Sequence, residues 1–462
     1  MEKFDLVVIG SGPGGYVDAV RASQLGLKTA CIEKERVGGV CLNWGCIPTK
    51  ALLKNAEVLH HIKQSANYGI NVSGYEIDFG KVIKRSRSVA DRLSKGVDLL
   101  FKKNNITKIS GNAKLISNTE IEVFSESGSE KISADKIIIA TGARSRAIPG
   151  VPFDGEKVIS SKEAMTLPAI PKNLVIIGAG AIGVEFAYFY NSFGAKVTLI
   201  EMLPHVLPIE DAEVSDQLER SLKKQGIKVM TGTKVQKLEK TDTGVSLDVE
   251  TSKGAEKIEA EKALVAIGVQ ANSEGLGLEE LGINLNRGFI VVDKNYKTNI
   301  DNIFAIGDVV GPPLLAHKAS AEAINCVEKI TSHTNKDVDY TSIPGCTFCS
   351  PQVGSIGLTE EKAKEQGLNY TVGKFPYSGN GKAIAGAETE GFVKLIFDKE
   401  TDELLGGHII GYDAAELLSE ITLAKSRRLK AKDIIETVHS HPTLSELIME
   451  SAAIVHDEAI HF

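Results

Sequence analysis

A chain of 462 residues with 53 basic and 60 acidic side chains carries a net charge of −7, and it has no basic run to grip nucleic acid or an anionic membrane. Hydrophobic residues at 42% and charged residues at 24% are ordinary for a globular protein, and no apolar stretch approaches the ~18 residues of a bilayer-spanning helix. Six cysteines are too few for a secreted disulfide framework, so a reducing cytoplasm is expected, in which a disulfide would be catalytic.

The chain opens with "FDLVVIG", a short apolar run ending in glycine, and "GGYVDAVRASQLGLKTACIEK" continues as a helix and a second strand. This βαβ unit places Gly10, Gly12 and Gly15 as G-x-G-x-x-G after a strand, with Glu33 ending the next strand. The first glycine makes the tight turn, the second admits a pyrophosphate and the third lets the helix pack close. The carboxylate accepts from a ribose hydroxyl.

"GGVCLNWGCIPTK" follows, with Cys41 and Cys46 five positions apart. In a regular α-helix that spacing sets the Cα atoms about 8.6 Å apart, beyond the ~7 Å limit for a disulfide. Asn43 and Gly45 tolerate unusual backbone angles, so a distorted turn can bring the sulfurs together, and Pro48 suits the first turn of a following helix. Two readings stand: a bridge poised for reduction, or two unpaired structural thiols.

"IEVFSESGSEKISADKIIIATGA" alternates like antiparallel strands, and a Pro-containing polar stretch sets a boundary near Gly150. "NLVIIGAGAIGVEFAYFYNSFGAKVTLIE" then repeats strand, glycine turn, helix and strand. Its Gly178, Gly180, Gly183 and Glu201 reproduce the first order 168 positions later, so two dinucleotides are expected to bind. Glu201 pairs with a free 2′-hydroxyl and repels a 2′-phosphate, and "EMLPH" offers no arginine, which favours NAD over NADP.

After Gly268 come short strands and turns, including "FAIGDV", where Asp308 reads as a turn residue or a ligand. "IPGCTFCSPQVGSIGLTEEKAKEQG" opens a C-terminal α+β segment. Its Cys346 and Cys349 have no second ligand pair at metal spacing, so no metal site is expected, and Cys31 and Cys326 read as small buried residues. Near the end, Thr443-x-x-Glu446 fits a capping box. A thiol of pKa ~8.5 is mostly protonated at neutral pH, however, so thiol chemistry also needs a base, a role that a neighbouring imidazole with a carboxylate on its other nitrogen can fill. His439 reads as structural.

Gly39-x-Cys41-x-x-x-x-Cys46-x-Pro48 after an N-terminal glycine fingerprint resembles the pyridine nucleotide-disulfide oxidoreductases. "ATGA" at 140–143, "FAIGDV" at 304–309 and "HSHPTLSE" at 439–446 extend the resemblance over the whole chain. It implies an α/β fold with two Rossmann-like FAD- and NAD(P)-binding domains plus a C-terminal α+β dimerisation domain. The implied segments are 1–149 for FAD, 150–270 for NAD, 271–345 returning to the FAD domain, and 346–462 for the interface.

Residue by residue, the resemblance puts Cys46 beside the flavin ring and makes Cys41 the interchange thiol. Lys50 would sit near the flavin N5, paired with Glu185, although charge statistics alone read these two as a solvated lysine and a helix-surface acid. Thr141, Gly142, Asp308 and Ala316 would join the first glycine loop and Glu33 in holding FAD. Gly268 would join the second loop and Glu201 in holding NAD, and His441 with Glu446 would be the base. Val269-Gln270-Ala271-Asn272 departs from the Gly-Arg-x-Pro-Asn common there. The expected activity is oxidation of dihydrolipoamide by a homodimer serving the lipoyl domains and core acyltransferase of 2-oxoacid dehydrogenase complexes. The rivals are reduction of another disulfide and a scaffolding role.

Overall fold

The computed structural model describes residues 1–461. The elements that carry the site are β1 (Glu2–Ile9), α1 (Pro13–Gln24), β2 (Thr29–Glu33), α2 (Gly39–Trp44), α3 (Cys46–Gln64), β3 (Asn173–Ile177), α4 (Ala181–Ser192), β4 (Lys196–Ile200), α5 (Ala316–Ile330) and α6 (Glu446–Ile454).

Residues 1–52, 77–146 and 268–338 form one compact unit. At its centre β1 pairs in parallel with β2 and with Gly128–Ile139, Val7 standing opposite Ala30 and Ile137. Leu6, Val7 and Val8 are all fully buried. A continuous apolar run is what a parallel strand covered on both faces requires. Val8 shares a core cluster with Ala19 and Ala22 of α1 and Ala323 and Val327 of α5 on one face, while Val7 and Ile9 join Ile137 and Ile139 in the cluster on the other. Glu120–Ser125 adds antiparallel to Gly128–Ile139, and Ile303–Ala305 adds parallel to that same strand.

The second unit comprises residues 53–76, 147–267 and the chain from 339 onward. Its parallel sheet orders Lys228–Met230, β4, β3, Lys262–Val265 and Val158–Ile159. A five-stranded antiparallel sheet orders Gly345–Thr347, Gln352–Gly357, Leu404–Gly411, Phe392–Asp398 and Tyr370–Pro376. Residues 150–267 and 346–462, read from the sequence as belonging to separate domains, fall in one unit, while 268–270 fall in the first. Residues 53–76, read with the FAD segment, fall there too. Lys63 donates to the Ser192 carbonyl at 2.8 Å and Tyr68 to that of Gly386 at 3.0 Å. Among the described residues no helix is long and apolar enough to cross a membrane.

Candidate active site

The two glycine turns are built alike. Gly10 and Gly178 share a φ of +101°, and each N–H donates at 2.8 Å to the end of the next strand, at Ile32 and Ile200. A Cβ on Gly15 would stand 1.8 Å from the Gly10 carbonyl oxygen, and one on Gly183 would stand 1.9 Å from that of Gly178. Only glycine lets each helix press so close to its turn. Neither α1 nor α4 has a side-chain cap at Gly12 or Gly180, so the first N–H groups are left for an incoming anion.

Each acid is already anchored beside its loop. Glu33 accepts from Ser11 N at 3.0 Å, Ser11 Oγ at 2.6 Å and Glu35 N at 2.9 Å. Glu201 accepts from Ala179 N at 2.8 Å and Leu203 N at 2.9 Å. These features fit a dinucleotide in both places. Ser11, fully buried and missed by sequence reading, also ties the first loop to the thiol segment, its carbonyl accepting from Gly38 N at 2.9 Å.

Thr141 and Gly142 face the departing segment: Thr141 Oγ1 donates to the Asn272 carbonyl at 2.7 Å, and Asn272 N donates to the Gly142 carbonyl at 2.9 Å. Gly268 has a φ of +115°, and its carbonyl accepts from Arg146 N at 3.0 Å. Val269–Ala271 pairs antiparallel with Ala143–Ser145. Asp308 lies in the turn Gly307–Val310, and Ala316 opens α5. Burial pushes the Asp308 carboxyl up while the Lys318 ammonium pulls it down.

The cysteines sit either side of a helix break. α2 ends at Trp44, Gly45 takes φ −146° and ψ −118°, and α3 starts at Cys46. Gly45 alone makes that break. Asn43, expected to share in it, stays helical, buried and anchored by its Nδ2 to the carbonyls of Val37 and Gly39, each at 3.0 Å. A Cβ on Gly45 would come 3.1 Å from the Val40 carbonyl oxygen. Both cysteines are thiols here, Cys46 exposed and Cys41 half-buried.

Cys41 is held well above the ordinary thiol value, first by its hydrogen bond with Cys46 and then by burial, while Lys50 pulls it down. The two cysteine side chains thus act on each other directly, and the Lys50 charge reaches Cys41. The break is buttressed from outside: Arg87 donates to the Asn43 carbonyl at 2.7 Å and stacks 4.8 Å over Trp44, and Ser86 donates to the Pro48 carbonyl at 3.0 Å. No sequence signal marked Arg87 or Ser86.

In the second unit His441 Nδ1 lies 2.8 Å from Glu446 Oε1, and Glu446 Oε2 accepts from Thr443 N at 2.9 Å. The capping-box reading is corrected, because α6 begins at Glu446 with Ser445 at its N-cap, and the Thr443 hydroxyl bonds instead to Ser440 and Ser445. Burial raises the Glu446 carboxyl, yet the Thr443 N–H and His441 hold it below the usual carboxylate value. The His441 side chain is 77% exposed. His439 is 5% exposed and locked between Glu420 and the Thr437 carbonyl, as a structural residue would be.

Glu185, read by charge statistics as a helix-surface acid, is buried and accepts from Phe348 N at 2.9 Å. Cys349 is buried with its sulfur 3.0 Å from the Pro351 carbonyl, and Cys346 lies in a short strand. Among the described residues no cluster of three or more His, Cys, Asp or Glu could hold a metal ion.

Residues 4–323 match the pyridine nucleotide-disulphide oxidoreductase model, and residues 343–452 match the dimerisation domain of that family. The chain is 47% identical over 467 residues to a dihydrolipoyl dehydrogenase of Zymomonas mobilis, covering 100% of each. It is 48% identical over 468 residues to one of Rhizobium etli, covering 97% of each. The crystal structure of LpdA from Mycobacterium tuberculosis is similar with a TM-score of 0.91 at 26% identity, covering 98% of this chain and 99% of that one.

Proposed function

Because the chain belongs to the pyridine nucleotide-disulphide oxidoreductase family, we propose that it oxidises protein-bound dihydrolipoamide to lipoamide and reduces NAD⁺, as a homodimer serving 2-oxoacid dehydrogenase complexes. The observation that carries this reading is the thiol pair docked on a phosphate loop. A Cβ on Gly39 would stand 2.6 Å from the Gly12 Cα, so the helix bearing Cys41 rests on the turn that would receive a pyrophosphate.

Bound at the two loops, FAD would supply a two-electron acceptor ring and NAD⁺ the final hydride acceptor. Gly10, Gly12, Gly15, Glu33, Thr141, Gly142, Asp308 and Ala316 would hold FAD, with Lys50 close to its ring. Gly178, Gly180, Gly183, Glu201 and Gly268 would hold NAD, and Glu185 would border that site.

The chain's own residues account for the thiol chemistry. One substrate thiolate attacks the Cys41 sulfur of the oxidised pair. The S–S bond breaks, and Cys46 leaves as a thiolate while a mixed disulfide forms. The second substrate thiol gives its proton to His441 and attacks the substrate sulfur of that mixed disulfide, closing the lipoamide ring and freeing Cys41. Glu446, fixed by the Thr443 N–H, sets the His441 tautomer and stabilises the imidazolium.

The test is steady-state reduction of NAD⁺ by dihydrolipoamide, set beside NADPH-driven reduction of glutathione. Dihydrolipoamide with NAD⁺ is expected to turn over and glutathione to fail. Cys41→Ser should abolish turnover yet keep a long-wavelength thiolate-to-flavin band, which Cys46→Ser should lack. The reverse result would exchange the roles of the two thiols.

A further inference from the structure

Lys318 and Glu322 stand one turn apart on α5, each 1% exposed, with Nζ 3.1 Å from Oε2. A lysine and a glutamate at that spacing normally pair on a helix surface in water. Out of water, the desolvation of such a pair commonly offsets its attraction, and apolar side chains of like volume hold a core as well. The stability of α5 therefore does not account for these two charges.

Three further bonds go to one place. Glu322 Oε2 accepts from Gly307 N at 2.8 Å, and Lys318 Nζ donates to the carbonyls of Gly307 and Gly311, each at 3.1 Å. Gly307 and Gly311 have φ of +76° and +108° and bound the turn that carries Asp308. The pair thus grips both ends of that turn from the helix whose first residue is Ala316. Both segments are assigned to FAD under the function proposed above, and the bracing bonds run between them.

We propose that Lys318 and Glu322 are positioning residues that brace the Asp308 turn against the start of α5 and so set the geometry of the flavin site. This rests on the reading of Asp308 as a flavin ligand. A loose brace would let the Asp308 carboxyl drift from the hydroxyls it must meet, while the sheet beneath stayed packed.

The experiment follows the holoenzyme through heating by two signals, flavin fluorescence for cofactor release and far-UV circular dichroism for unfolding. In Lys318→Met/Glu322→Met, unfolding is expected near the wild-type temperature and flavin release well below it. FAD affinity on reconstitution is expected to fall about 10-fold or more, the scale of one lost charge-assisted hydrogen bond. Release and unfolding that shift together, with affinity unchanged, would mean a merely structural pair and overturn the proposal.

Glu322→Gln keeps an oxygen for Gly307 N but loses the charge facing Lys318, and it serves if the double variant does not fold. It should open a smaller gap between the two temperatures, and wild-type behaviour in it would likewise overturn the brace. Asp308→Asn, measured in parallel, separates the two readings. If it retained flavin as the wild type does, the Asp308 assignment itself would fall and the brace with it.

Discussion

Asp18 lies in α1, fully buried, and neither of its carboxylate oxygens meets a hydrogen-bond partner among the described residues. Burial alone raises its carboxyl well above the usual carboxylate range, which favours the protonated acid in the folded chain. An unfolded aspartate loses its proton near pH ~3.9. Above that pH the folded state binds the extra proton, so the stability tied to Asp18 is present at lower pH and is lost as pH rises toward the folded value. Asp18→Asn should therefore melt like the wild type near pH 4 and be more stable than it at pH 8. A gain of equal size at both values would contradict this account. In "GGYVDAVRASQ" nothing flags Asp18, because its burial comes partly from α5, some 300 positions on. Lys318 and Glu322 were illegible for the same reason. Cys41 and Cys46 stand out in the sequence because a close cysteine pair between glycines is a local pattern, whereas His441 is singled out only by the family resemblance.

The two βαβ units could be read in full from the sequence, since a strand, a glycine turn, a helix and a closing acid all lie within some thirty residues. Their geometry supports a cofactor prediction, because Glu201 is fixed by two backbone N–H groups at the end of β4. NAD⁺ should exceed NADP⁺ in kcat/KM by at least ~10-fold, about 1.4 kcal/mol, because a 2′-phosphate would face that carboxylate. Steady-state kinetics with both nucleotides give the ratio, and equal values would remove the argument. Short strands were harder to read. Ile303–Ala305 pairs with a strand about 165 positions earlier, and Val269–Ala271 with one about 125 earlier. Three residues carry no periodicity of their own. The start of α6 was misplaced because Thr443 and Glu446 have capping-box spacing, while their bonds go to His441 and the loop before the helix.

On the scale of the whole molecule, the proposed base and thiols lie 395 or more positions apart in the chain. In the homodimer proposed above, the family resemblance implies that the partner's His441 reaches the thiols of the first subunit. Cys46→Ser and His441→Ala homodimers should then both be nearly inactive, while co-refolded mixtures regain activity. Random pairing makes half of the dimers mixed, each with one intact site, so recovery should approach roughly a quarter of wild type. Confirmed mixed dimers without activity would refute the shared site. Gly15 and Gly183 add a constraint at the level of the gene. A glycine codon reaches alanine, valine, serine, cysteine, arginine, tryptophan, aspartate or glutamate by one base change, and every one of these brings a Cβ. Since that carbon would stand within 2 Å of a carbonyl oxygen at either position, every single-nucleotide missense change there forces the turn and helix apart. A saturating mutational scan would show both codons as empty columns under selection, whatever the nucleotide each loop binds.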